Sequence, residues 1–251
     1  MEGIFAEQVR PVNCKKCRAQ RRHIIKYDRK GKPIEKDKKY GEFSDILVGF
    51  CNHEKMGKIK APIDILIVAD SHGGGRKESF INKQETLKDS ADRLKKYYYG
   101  KWKDLGWVTF HQYEIHKLLN NISDKNWFFT DLVKCYIDRI KQNGQDNMHL
   151  AGQCCYYYLK KQIRVMKPKI ILLLGWRVRS AFEMDGLVKI NENDKRKTIS
   201  ELHGRIYKGN DNRTYYIYSV FPSQRTADIW TKVGGWKKVF GALSNPNSNI
   251  N

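Results

Sequence analysis

Two cysteines with two residues between them, Cys14-Lys15-Lys16-Cys17, are the first group along the chain whose spacing fits chemistry. A tight turn brings such a pair of thiolates to one metal centre, and the same spacing serves a redox dithiol. A redox pair belongs at a helix start after a strand, and no strand pattern precedes this one. A metal centre needs two more thiolates, which Cys135 with Cys154 or Cys155 can supply. Four thiolates suit structural zinc and an iron–sulfur cluster alike, and the spacing does not choose between them. A second place for chemistry follows the β-branched run Ile63-Asp64-Ile65-Leu66-Ile67-Val68, which stops at Ala69-Asp70-Ser71-His72-Gly73-Gly74-Gly75. A buried strand that ends in a polar, glycine-rich loop is the usual seat of a site in an open α/β sheet.

Those groups need a scaffold, and the apolar runs predict one. Ile170 to Leu174, followed by Gly175, reads as the strongest core strand. Trp127 to Thr130 is a second strand, running into Asp131-Leu132-Val133-Lys134-Cys135, and Tyr215 to Val220 is a third, delivering Phe221-Pro222-Ser223-Gln224-Arg225. Helices are expected over 79–100, over 150–166 (ending before Lys167-Pro168) and from Arg177 to Phe182. The basic stretch 18–60 reads as a loop-rich lead-in, and the polar segment Asp185 to Lys197 as a surface excursion. Strands alternating with helices point to a three-layer α/β/α domain with a central, mostly parallel sheet. One domain over 1–242 and a flexible Asn- and Ser-rich tail over 243–251 are expected.

Lys and Arg number 48 against 27 Asp and Glu, a net charge of +21. Basic residues spread along the whole chain are the footprint of a polyanion partner, and nucleic acid is the first candidate. Tyr97-Tyr98-Tyr99 and Tyr156-Tyr157-Tyr158 lie among lysines, a pattern that suits base stacking and core packing equally. At 40% hydrophobic residues the chain is not a disordered polyanion binder, and it has no apolar run of membrane-spanning length. With no visible secretory signal, a soluble, cytoplasmic and monomeric protein is expected, so the cysteines are not read as disulfides.

Taken together, six segments resemble the uracil-DNA glycosylase superfamily, specifically its iron–sulfur-containing family 4, over roughly residues 14 to 240. The Cys14–Cys17 pair with the following arginines resembles the family's start. Ala69-Asp70-Ser71-His72-Gly73 stands where the family has Gly-Glu-x-Pro-Gly, and Ser79-Phe80-Ile81-Asn82 where it has Pro-Phe-Val-Gly. Thr130-Asp131-Leu132-Val133-Lys134-Cys135 matches Thr-Asn-x-x-Lys-Cys. Cys155, Leu159, Gln162-Ile163, Pro168-Lys169 and Leu174-Gly175 keep the family's register, and Phe221-Pro222-Ser223 replaces His-Pro-Ser. The resemblance implies a DNA glycosylase with a [4Fe–4S] cluster on Cys14, Cys17, Cys135 and Cys155, leaving Cys51 and Cys154 as spares. Structural zinc is the alternative.

The resemblance also implies roles, and the departures from it modify them. Asp70 would orient water or stabilise a cationic sugar; capping of a following helix is the bland reading. His72 is either a proton donor or a solvent-facing loop residue. Phe80 would stack on the flipped base, while Ser223 and Arg225 would contact phosphate. At Asp131 the family's Asn donates to uracil O4 and accepts from N3–H. An aspartate instead accepts from a C4 amino group, and when protonated it also donates to N3, which is the cytosine pattern. Excising ordinary cytosine would destroy the host genome. The implied target is therefore a modified cytosine, such as glucosylated 5-hydroxymethylcytosine in bacteriophage DNA, and the implied role is antiviral defence. Uracil repair is one alternative. Phe221 cannot hydrogen-bond a departing base, so a non-catalytic iron–sulfur DNA-binding protein is another.

Overall fold

The computed structural model describes residues 26–27, 33–34, 49–51, 61–71, 109–133, 141–142 and 145–246. Among them, six strands form the central sheet: β1 Phe50–Cys51, β2 Ile65–Ser71, β3 Trp127–Val133, β4 Ile170–Leu174, β5 Ile206–Lys208 and β6 Tyr215–Ser219. Their order in space is β1-β3-β2-β4-β6-β5. The inner four are parallel, and antiparallel β1 and β5 close the edges. The helices that matter here are α1 Phe110–Asn121, α2 Asn147–Met166, α3 Trp176–Met184, α4 Glu192–Lys195, α5 Ala227–Lys232 and α6 Trp236–Ser244.

Period-two alternation along the inner strands sends side chains to both faces, and both faces are covered. Leu66, Val68, Phe128, Leu132, Ile171 and Leu173 pack under α2 and α3, against Leu159, Val178 and Phe182. Ile65, Ile67, Trp127, Phe129, Leu172 and Leu174 pack under α1, α5 and α6, against Ile115, Leu119, Trp230, Trp236 and Val239. Burying side chains of this size contributes roughly 1.5–3 kcal/mol each before entropy is counted. β4 lies between both layers, so all five of its residues are buried and its sequence is an unbroken apolar run. The α/β/α architecture expected from the sequence is the one present.

The details differ in informative places. β2 runs three residues beyond Val68, so Asp70 belongs to a paired strand rather than to a free loop. β5 has no counterpart among the expected strands; it is three residues long, with Ile206 and Tyr207 buried. α6 continues to Ser244, two residues into the expected tail, because Leu243 packs against the core. The tyrosine triplet is divided: Tyr156 and Tyr158 enter the core, whereas Tyr157 is exposed beneath Lys161. Cys51 is buried in β1. The expected helix over 79–100 lies outside the described residues.

The polar segment after α3 is more than a surface excursion, because it carries a buried carboxylate. Asp194 is 1% exposed and receives hydrogen bonds from Tyr207 Oη at 2.9 Å, Lys197 Nζ at 2.6 Å and Arg205 Nη1 at 3.2 Å. Burial pushes its pKa up, but these partners outweigh burial and hold the carboxyl below its ordinary value. The backbone carbonyls of Asp194, Lys195 and Lys197 in turn accept from the guanidinium of Arg179, on α3. The knot therefore braces the helix whose first turn enters the site described next. Asp194→Ala strands the buried Tyr207 hydroxyl and removes a charged acceptor, and a loss of about 2–3 kcal/mol in urea unfolding is expected. Since the folded-state pKa is lowered, the contribution is complete at neutral pH and is lost only as pH falls below about 4.

Candidate active site

The sheet reverses its direction of growth at β2. From β2 the chain moves to β3 on one side, then returns to β4 on the other and continues outward to β6. The crevice at the carboxyl ends of β2 and β4 is thus a topological switch point, the place where open α/β sheets bind ligands. Asp70 is the penultimate residue of β2 and stands at that crevice.

Directly across it lies a residue that the sequence did not single out. Arg177, in the first turn of α3, places Nη1 2.5 Å from Asp70 Oδ2; the side chains are 12% and 19% exposed. The turn that delivers it requires Gly175, whose φ of 101° is costly for any residue with a Cβ. Gly175 N–H donates to Ser219 O at 2.8 Å, tying the end of β4 to the end of β6. Trp176 follows, 51% exposed, with the Arg177 guanidinium 4.9 Å from its ring centroid. An ion pair of this kind fixes the carboxylate's position at the crevice.

Asp131 ends up elsewhere on the same edge. It is 4% exposed, and its Cα pairs with that of Ala69, one residue before Asp70. The two aspartates therefore leave adjacent strands, about 4.8 Å apart, on opposite faces of the sheet. Asp70 shares the row of Leu66 and Val68 under α3, and Asp131 shares the row of Trp127 and Phe129 under α1. Such a placement suits two separate tasks better than a proton-sharing carboxylate pair.

On the α1 side of the edge stand His111 and Phe221, with ring centroids 6.3 Å apart. Thr109 Oγ1 donates to Gln112 Oε1 at 2.6 Å, so its contact with His111 Nδ1 at 3.0 Å assigns the ring proton to Nδ1. Burial lowers the His111 pKa, favouring the neutral ring. His111 is a second residue that the sequence did not single out, since no local motif surrounds it. The loop after Phe221 is pinned by Thr226, whose hydroxyl donates to Phe221 O at 2.6 Å and accepts from Ser223 N–H at 3.0 Å. Ser223 and Thr226 thus form a reciprocal cap on a short 3₁₀ turn, and Arg225 projects from that turn, exposed.

His72 and Phe80 lie outside the described residues, as do Cys14, Cys17 and Cys135. Cys155 lies on α2, seven residues before Gln162, which faces Thr130 of β3. Since Met166 O accepts from Ile63 N–H at the start of β2, the amino-terminal half of α2 lies toward the carboxyl edge of the sheet. That is also the edge at which β3 ends, two residues before Cys135.

A mostly parallel α/β sheet with a fixed carboxylate at its switch point defines an α/β protein with a built site at its carboxyl edge. The family follows directly: residues 72–233 match the model of the uracil DNA glycosylase superfamily, and the chain belongs to that superfamily. Its members are generally DNA glycosylases and act on DNA. No curated protein matches the chain. Among the described residues no helix is long and apolar enough to cross a membrane.

Proposed function

We propose that this protein is a monofunctional DNA glycosylase that releases a hypermodified cytosine from bacteriophage DNA, leaving an abasic site. Superfamily membership supports the reaction class, and the buried aspartate at the end of β3 carries the choice of base. The target nucleotide is flipped from the duplex into the crevice. Asp70, held by Arg177, orients the attacking water and stabilises the positive charge that grows on the sugar as the glycosidic bond breaks. Asp131 accepts from the C4 amino group, Phe80 stacks on the base, and His72 donates a proton to the departing base. Ser223 and Arg225 hold the strand by its phosphates, backed by the general excess of positive charge.

The test is alkaline cleavage of matched DNAs carrying cytosine, uracil, 5-hydroxymethylcytosine or its glucosylated form. Breaks confined to the glucosylated DNA support the antiviral reading. Breaks mainly at uracil return the protein to repair, and binding without breaks makes it a DNA-binding module.

The direction of α2 supports a pairing of Cys155 with Cys135, since the helix carries Cys155 toward the edge at which β3 ends, two residues before Cys135. Cys14, Cys17, Cys135 and Cys155 would hold a [4Fe–4S] cluster, which would tie the amino-terminal segment to the domain as a structural brace. Protein purified without oxygen is expected to be brown, with an absorption band near ~400 nm that Cys155→Ser abolishes. Colourless protein containing zinc would replace the cluster with a structural zinc site.

A further inference from the structure

Trp176 has no part in the chemistry above, yet its position is unusual for so large an apolar ring. It is 51% exposed on the first residue of α3, immediately after the strained turn at Gly175 and at the carboxyl edge of β4. The guanidinium of Arg177 sits 4.9 Å from the ring centroid while its Nη1 holds Asp70, so the ring is fixed to the same charged pair that forms the site. Asp194 and its partners brace the helix beneath it through Arg179. Keeping an indole in water costs free energy, and here that cost falls where a polyanion carrying flat aromatic bases is drawn in by a net charge of +21.

We propose that Trp176 is a stacking platform for an unpaired nucleobase of the bound DNA, positioned by Arg177 beside the Asp70 crevice. The proposal rests on the DNA-acting reading but not on the identity of the excised base. Stacking on an indole is tolerant of sequence because every base has a π face. A stacking contact also releases no counterion, so its loss lowers affinity without changing the salt dependence, unlike the loss of a lysine or arginine contact to phosphate.

The test is fluorescence anisotropy with a short single strand and with the same strand built from abasic residues, over a salt series, using the full chain. Trp176→Ala is expected to weaken binding to the base-bearing strand about tenfold or more. It should leave the abasic strand within about twofold and the salt slope unchanged, and Trp176→Phe, which keeps a ring, should retain most of the affinity. Equal losses on both strands would show that Trp176 acts only through the fold or through Arg177, and would overturn the proposal. No loss on either strand overturns it as well. Wild-type protein that binds neither strand overturns this proposal alone, whereas base release from duplex DNA by the wild-type protein tests the glycosylase reading separately.

Discussion

Replacing Asp70 with alanine is expected to lower base release by 10²–10³-fold or more while DNA binding persists. Two features of the carboxylate suit it to this chemistry. It stands at the switch point of the sheet, and it is held by a guanidinium 2.5 Å away, so it needs no reorganisation when charge develops on the sugar. Removing a fixed electrostatic group or a general base typically costs on the order of 10²–10⁴ in rate. Binding should persist or strengthen slightly, since the change removes a negative charge beside the path of a polyanion and frees Arg177 for phosphate. Asp70→Asn keeps the shape and an acceptor for Arg177, and separates lost chemistry from lost packing. Single-turnover release and salt-dependent affinity, measured for both variants, decide the matter. A variant that releases base at the wild-type rate would remove Asp70 from the mechanism.

Asp131→Asn is expected to invert the preference between cytosine-type and uracil bases. The substitution is isosteric at a 4%-exposed position, so packing is kept and only the hydrogen-bonding pattern changes. An asparagine amide donates to O4 and accepts from N3–H of uracil, whereas a carboxylate leaves O4 without a donor. A buried polar mismatch costs about 1–3 kcal/mol, and sites built around one polar edge reject the wrong edge by as much as about 10⁴-fold. The ratio of release rates from the two DNAs should therefore shift by on the order of 10² or more. An unchanged ratio would mean that Asp131 does not read the base, and the argument for modified cytosine would go with it.

Both expectations started from residues legible in the chain, and the same chain hid their surroundings. The run Ile170 to Leu174 announced a doubly buried strand, because a strand covered on both faces has no polar positions to interrupt it. The strand that ends near Asp70 was visible for the same reason. β5 was not visible, because three residues are too few to show a period; Ile206-Tyr207-Lys208 becomes a strand only by pairing with β6. Asp194, in a stretch as polar as any loop, is buried because Lys197 of the same stretch and Arg205 and Tyr207 of the segment at β5 converge on it.

By itself the sequence determined the parallel core and the excess of positive charge, and it put forward the ends of the strands and the aspartates at positions 70 and 131 as candidates for chemistry. Tertiary structure alone decided that Arg177, 107 residues from Asp70, grips its carboxylate. It also placed the two aspartates on opposite faces, set His111 against Phe221 and left Trp176 exposed at the crevice. The reason is physical. Burial and periodicity are properties of neighbouring residues and are written locally, whereas an ion pair or a ring contact between distant segments exists only once strand order and register have brought those segments together.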